Sequence, residues 1–423
     1  MKIAIFSDTH FGFSFGGFTK EDSFIQAQQV VEKILKEDVD SVIIAGDIFD
    51  TDNPDSSSIY KGFKILQMLA LKDYKTKIEE VAFRNKEVSE FPSLPIIAIP
   101  ATHERKALGE EDIVEVLQLA GILINANNKW ITLSKNDERI SLLGIGGMED
   151  MQFKEFLEKE REKIEEEAKT KKGFKIFLFH QSIKEFMPFL NDFISLSELP
   201  KGFDLYVCGH IHKKIEARVH GKMFLIPGST VLTQQKKDEE EKKGFIIFDT
   251  SKYSYKFIEI DSRPFFYREL NFESSTPNEI FEKTKEEIKR IIESEKEKER
   301  KPIIKIKVNA TLKEGFKPKD VQLSQLQKEE GALISIEKSI NAKEVEVEIE
   351  KMRELIKKGD IKDIGLQMLR EELKKLNFKL NESILLNLLS KEGSRKEKEE
   401  NLEKAIKYIK EFEKEEVEKR IKK

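Results

Sequence analysis

Five of the six histidines in this chain stand, with two aspartates, at or just beyond the ends of short apolar runs. In order they are Asp8-x-His10 after KIAIFS, Asp47 after VIIAG, His103 after PIIAIP, His180 after IFLF, and His210-x-His212 after LYVCG. Parallel α/β sheets gather their ligands at the carboxyl ends of strands, so a scarce residue concentrated there points to one shared site. Imidazole plus carboxylate, with almost no thiolate, is donor chemistry for Mn²⁺, Fe²⁺ or Zn²⁺ rather than for a structural zinc knot. Alternate residues of an extended chain share a face, which lets Asp8 act with His10 and His210 with His212. Gly46 permits a tight turn that presents Asp47 as a carboxylate able to serve two cations about 3.5–4 Å apart, equipment for cleaving phosphate esters. Asp8, His10, Asp47, His180, His210 and His212 are therefore the candidate metal ligands. His103 lies in a charged, open stretch, THERK. It is assigned to protonating a leaving alkoxide or stabilising a pentacoordinate phosphorane. Asp50 could orient a ligand or cap the segment that follows. His220 reads as an exposed hairpin residue and Cys208 as a buried strand residue. Lys213 and Lys214, beside the last pair, could grip phosphate or simply be solvated, and so could Lys236 and Lys237.

Strand-like and helical runs alternate through the first 262 residues. Apolar strands are expected at 2–6, 42–45 and 95–100, with helical spacing in Phe24, Ala27, Val31, Ile34 and Leu35, over 58–71 and over 111–119. Strands at 130–133, 140–145, 175–179, 205–208, 223–226, 245–248 and 256–260 follow. They are interrupted at 154–169 by a very charged helix whose weak apolar stripe marks it as a solvated surface element. Parallel βα units followed by a more antiparallel half imply an α/β fold, a two-sheet sandwich flanked by helices. After Asp261-Ser-Arg-Pro264 a small α+β cap over 263–340 reads strand, helix (277–298), strand (303–308), helix-like stretch (318–328), strand (332–336). From residue 341 to 423 the chain is helical and highly charged. Apolar stripes at 361–380 and 402–412 need a surface to bury against, either a partner or their own cap domain.

Charged residues make up 36% of the chain, yet 75 basic and 79 acidic side chains leave a net charge of only −4. Nucleic-acid binding would have to come from local basic surface. One cysteine excludes internal disulfides and fits a reducing cytoplasm. No signal peptide and no membrane-spanning run is expected.

Read together, SDTH, GDIFD, THE, a lone FH and GHIH are similar to the five motifs of the calcineurin-like metallophosphoesterases. The stretch SDTHFGF, the SRPF junction and the cap with its helical tail narrow the resemblance to the nuclease subunit of the double-strand-break repair complex, the Mre-eleven family (SbcD in bacteria). The superfamily likeness covers residues 1–262, the narrower one extends over the cap, and over the tail it is one of composition and position. The resemblance implies one metal held by Asp8, His10, Asp47 and His212, a second by Asp47, His180 and His210, and His103 near the scissile phosphate. It implies two Mn²⁺ (Fe²⁺, Mg²⁺ or Zn²⁺ being alternatives) supporting 3′–5′ exonuclease and single-strand endonuclease activity on DNA. It also implies a homodimer formed through helices of the catalytic domain. The implied partner is an SMC-like coiled-coil ATPase of the Rad-fifty or SbcC type, bound by the C-terminal helices. In one place the chain departs from the pattern. Where the family has Gly-Asn-His-Asp/Glu and its Asn ligates the second metal, this chain has Ala101-Thr102-His103-Glu104. The shorter, poorer hydroxyl donor of Thr102 implies a weaker second site, completed by water held by Thr102. Asp50, where eukaryal and archaeal relatives often carry His, is similar to the SbcD pattern.

Two other functions use the same residues. A phosphodiesterase acting on small or cyclic nucleotides would need the metals but has little use for a cap and a long helical tail. A scaffold whose metal site has decayed is opposed by six ligand-type residues retained beside His103.

Overall fold

The computed structural model describes residues 1–83, 95–104, 111–187, 193–342, 401 and 403–408. Its strands in chain order are β1 (Lys2–Phe6), β2 (Ser41–Ile44), β3 (Lys77–Phe83), β4 (Ile96–Ala98), β5 (Ile124–Asn125), β6 (Lys129–Lys135), β7 (Glu138–Ile145), β8 (Phe174–His180), β9 (Leu205–Gly209), β10 (Ile215–Val219), β11 (Lys222–Ile226), β12 (Gly244–Asp249), β13 (Ser254–Glu259), β14 (Phe265–Ser275), β15 (Ile303–Leu312) and β16 (Leu333–Ala342). The helices are α1 (Asp22–Lys36), α2 (Ser56–Ala70), α3 (Ile113–Leu119), α4 (Asp150–Thr170) and α5 (Pro277–Ser294).

Two sheets form the sandwich. The first runs β13-β12-β1-β2-β4-β5 and the second β10-β11-β9-β8-β7-β6-β3. Side chains that alternate across each strand divide the core between layers. Ile3 and Ile5 of β1 join Ile176 and Leu178 of β8 in the interior between the sheets. Ala4 and Phe6 turn outward to α1, α2 and α3, and Phe177 and Phe179 turn outward to α4. Both faces of the central strands are thus covered, which explains why their sequences are unbroken apolar runs.

The second sheet is less antiparallel than its sequence implied. β7, β8, β9 and β11 pair in parallel, and only β3–β6, β6–β7 and β10–β11 are antiparallel. For the β7–β8 pair the charged helix α4 is the reason. It is the crossover that carries the chain from β7 to β8, and parallel neighbours require such a connection. Its narrow stripe of Phe153, Leu157, Ile164 and Ala168 is enough to seat it on the sheet. Strands β3, β5 and β10 were not apparent in the sequence: β5 is two residues long, and β10 alternates Ile-Glu-Ala-Arg-Val at the sheet edge.

The chain packs as two compact units. One comprises Met1–Glu269, Thr284–Lys307 and Leu323–Glu337, and the other Leu270–Lys283, Val308–Gln322 and the described residues from Lys338 onward. A third sheet has the order β14-β15-β16. The helix-like stretch expected over 318–328 is instead two 3-10 turns, Pro318–Asp320 and Ser324–Lys328. The apolar stripe at 361–380 lies outside the described residues, as does that at 402–412 apart from the helical residues 403–408. Among the described residues no helix is long and apolar enough to cross a membrane.

Candidate metal centre

Five turns converge at one end of the sandwich, those following β1, β2, β4, β8 and β9. Their backbone is strained where the donors sit. Asp8, His10, Asp47 and His210 have φ of 53°, 42°, 48° and 78°, a left-handed conformation that costs an L residue on the order of 1–2 kcal/mol. Such strain persists only where surroundings over-determine it. Here Asp8 N–H donates to the Gly46 carbonyl (3.0 Å), His10 N–H to that of Asp47 (3.0 Å) and Phe11 N–H to that of Ile48 (2.8 Å), which zips the β1 and β2 turns together. Gly46, at φ 88°, has no room for a Cβ, which would lie 2.6 Å from His180 Nδ1.

All six predicted ligands meet. Donor atoms of Asp8, His10 and His212 lie within 4.8 Å of one another, as do those of Asp47, His180 and His210. A further group joins His10 and Asp47 to His103. The tautomers follow from the partners. His180 Nδ1 faces the Ala45 carbonyl at 2.8 Å and must donate to it, which turns Nε2 toward the cluster. That Nε2 and Asp8 Oδ2 are buried with no hydrogen-bond partner, although Nε2 lies 3.2 Å from Asp47 Oδ2, off the hydrogen-bond line. His10 Nδ1 lies 3.2 Å from Asp50 Oδ1, and its Nε2 lies 3.2 Å from His212 Nε2. Buried polar groups without partners are costly, and with Nδ1–H committed to Asp50 in one ring and to Thr233 and Glu239 in the other, neutral His10 and His212 turn two Nε2 lone pairs toward each other. A divalent cation satisfies both conditions, so the donor set fits a metal.

The electrostatics of the cluster are those of opposite charges crowded in a dry site. Burial opposes ionisation of Asp47, but His180, then His10 and His103, outweigh it and hold the carboxyl below the usual range. Burial alone would push His180 down. The charge of Asp47, aided by Asp8, raises it to about 9. Burial and the adjacent His180 push His210 down to about 4.

His103 is half exposed. Its N–H donates to Asp47 Oδ1 (3.1 Å) and its Nδ1–H to the Asp50 carbonyl (2.8 Å), leaving Nε2 without a proton of its own to give unless it is charged. Its neighbour Glu104 corrects the sequence reading of an open environment. Glu104 is wholly buried and accepts from the N–H groups of Phe49 (2.9 Å) and Ala101 (3.1 Å), tying the β2 turn to the β4 turn. Burial, then repulsion from Asp47, pushes it up to about 8. Thr102 is exposed. Lys213 pairs with Glu241 at 2.9 Å and Lys214 lies over the Phe257 ring, 4.8 Å from its centre. His220 is exposed and Cys208 buried, as their positions implied.

Three residues around His212 had no sequence signal. Thr233 Oγ1 lies 2.5 Å and Glu239 Oε1 3.5 Å from its Nδ1. Buried Lys243 joins Glu239 to the His212 carbonyl and to Ser229. Only tertiary folding brings 233–243 beside residue 212, and such partners orient a metal-binding imidazole.

The chain is 26% identical to the DNA double-strand break repair protein Mre11 of Sulfolobus acidocaldarius over 342 residues, 77% of this chain and 79% of that protein. It is 28% identical to the Mre11 of Saccharolobus solfataricus over 265 residues, 61% of this chain and 60% of that one. Against the double-strand break repair protein MRE11 of Rattus norvegicus identity is 24% over 279 residues, 57% of this chain but only 38% of the rat protein. Residues 1–214, which carry every one of the converging turns, match the calcineurin-like phosphoesterase family. By that match and by the donor set its turns assemble, the chain belongs to the calcineurin-like phosphoesterases.

Proposed function

We infer that this chain is a cytoplasmic, Mn²⁺-dependent DNA nuclease of a double-strand-break repair complex, acting as a 3′–5′ exonuclease and single-strand endonuclease. What supports the reading above all is the convergence of six Asp and His donors around Asp47, in a chain similar over most of its length to archaeal Mre11. Asp8, His10, Asp47 and His212 would hold one cation, and Asp47, His180 and His210 the other, with Thr102 beside the second. Two bound divalent cations supply charge neutralisation to a phosphodiester and a more acidic water. Asp50 orients His10, and Glu104 fixes the turn that carries His103. A charged His103 can deliver its Nε2 proton to the departing oxygen, since its Nδ1–H is already committed to the Asp50 carbonyl. Residues 1–262 form the nuclease domain of this reading and 263–340 a DNA-facing cap. Residues 341–423 dock on an SMC-like coiled-coil ATPase, and the chain dimerises.

Mn²⁺-dependent digestion of end-labelled DNA tests it. Products shortened from the 3′ end, lost with EDTA, are expected. Hydrolysis of cyclic nucleotides with DNA left intact would favour the small-substrate reading, and metal binding without any hydrolysis the scaffold.

Thr102→Asn should tighten only the weaker of two unequal Mn²⁺ sites in calorimetry, by about 10-fold or more. Two equally tight sites in the parent protein contradict the weakened-site reading.

Metal binding should also depend on pH. Ligation needs the Nε2 lone pair of His180, whose proton is held up to about 9, whereas His210, depressed to about 4, is already neutral at pH 7. Mn²⁺ should therefore release about one proton at pH 7, and its affinity should climb from pH 6 toward 9. Calorimetry in two buffers of different ionisation enthalpy measures the release, and a flat affinity over that range refutes it.

A further inference from the structure

The cleft over the metal cluster is larger than a phosphate requires and has two kinds of wall. It has a volume of about 410 Å³, and its lining includes Asp47, His103, His210 and His212. Lys213 and Lys236 also line it, together with Asp238 and Glu239. The apolar part of the lining is Phe186, Met187 and Ile211. Apolar side chains left partly exposed beside a charged centre forgo about 25 cal/mol for every Å² they fail to bury, and the turn that carries Phe186 and Met187 is held in place. Phe186 N–H and Met187 N–H donate to the Ile183 carbonyl at 3.0 and 3.1 Å. The Glu185 carboxylate accepts from Ser195 Oγ (2.7 Å) and Leu196 N–H (2.9 Å), pinning the turn from its other side. The Phe186 ring stacks on Phe224 at 5.9 Å. A ligand that matches this cleft joins an anionic group, for the metal and lysine side, to a flat apolar group a few ångströms away. A nucleotide has that form.

Resting on the nuclease reading, we propose that Phe186, Met187 and Ile211 form a nucleobase subsite, on which the base next to the scissile phosphate stacks after leaving its helix. The subsite tolerates any base, because every base offers a π-face. It gives the cleft a preference for unpaired ends over duplex, since a paired base is not available to stack.

The test uses the full chain and an oligonucleotide with 2-aminopurine at its 3′ end and a non-hydrolysable terminal linkage, whose fluorescence falls on stacking. A partner oligonucleotide, abasic at that position, measures what the base adds. Quenching on binding is expected, with the abasic strand binding about 10-fold more weakly. Phe186→Leu preserves bulk against Phe224 and Met187→Ala trims the surface. Each should weaken quenching and shrink the difference between the strands, while leaving Mn²⁺ affinity unchanged. Equal binding of the two strands by the parent chain, or undiminished quenching in both variants, overturns the subsite. Base-dependent binding in a protein that does not cleave DNA would sink the nuclease reading and leave the subsite standing.

Discussion

Replacing His103 by Ala should leave Mn²⁺ binding within about 3-fold of the parent and lower DNA cleavage by about 10²–10⁴-fold, the range expected on losing a proton-transfer group. Asp47→Ala should lose both. The difference follows from where the two side chains lie. Asp47 is buried, belongs both to the group with His180 and His210 and to that with His10 and His103, and is the counter-charge that lets His180, His10 and His103 crowd together. Its removal takes away the carboxylate that faces His180 and His10 and leaves Asp8 as the one carboxylate in the described groups of donors. His103 is half exposed at the mouth of the same cluster and contacts Asp47 through its backbone N–H, a bond the substitution retains. Its position within reach of His10 and Asp47 also makes it a possible third donor, and calorimetry separates the roles. Equal loss of metal in the two variants would assign His103 to the metal and remove it from proton transfer.

Gly46→Ala should be among the most damaging single-methyl changes in the molecule. The residue occupies φ 88°, which an L side chain resists, and its new Cβ would stand 2.6 Å from His180 Nδ1 and 2.7 Å from the Ala101 Cβ. Left-handed strain and overpacking together predict a loss of about 2–5 kcal/mol, a fall in Tm on the order of 10 °C. The injury should be directional. Relief requires His180 to move away from the Ala45 carbonyl that sets its tautomer, so Mn²⁺ affinity should fall even at temperatures where the fold survives. A variant that melts normally, or one that melts early yet binds metal as the parent does, would show that the turn has more room than these contacts allow.

The six side chains that converge were legible in the sequence because a strand end is marked by an apolar run, and a polar residue just past it has few alternatives to facing the cluster. The pairs Asp8/His10 and His210/His212 reach the cluster through left-handed turns rather than by the alternation of an extended strand, and His210 and His212 fall in different groups. Glu104 was misread because burial is not a local property. Its charge and its neighbours in THERK suggested solvent, whereas its carboxylate is spent on two backbone N–H groups from turns more than fifty residues apart. The helix α4 was recognised but its duty was not, since four buried residues in twenty-one suffice to seat the crossover that makes β7 and β8 parallel.

Composition, apolar patterning and the spacing of a few histidines thus determine most of the elements, the two-layer sandwich and which side chains converge, features carried by patterns local to the chain. The strained turns, the tautomers set by Ala45 and Asp50, the support of His212 by Thr233 and Glu239, and the apolar wall of the cleft were decided by the tertiary structure alone. Each depends on atoms that are distant in sequence and become neighbours only when the sheets pack.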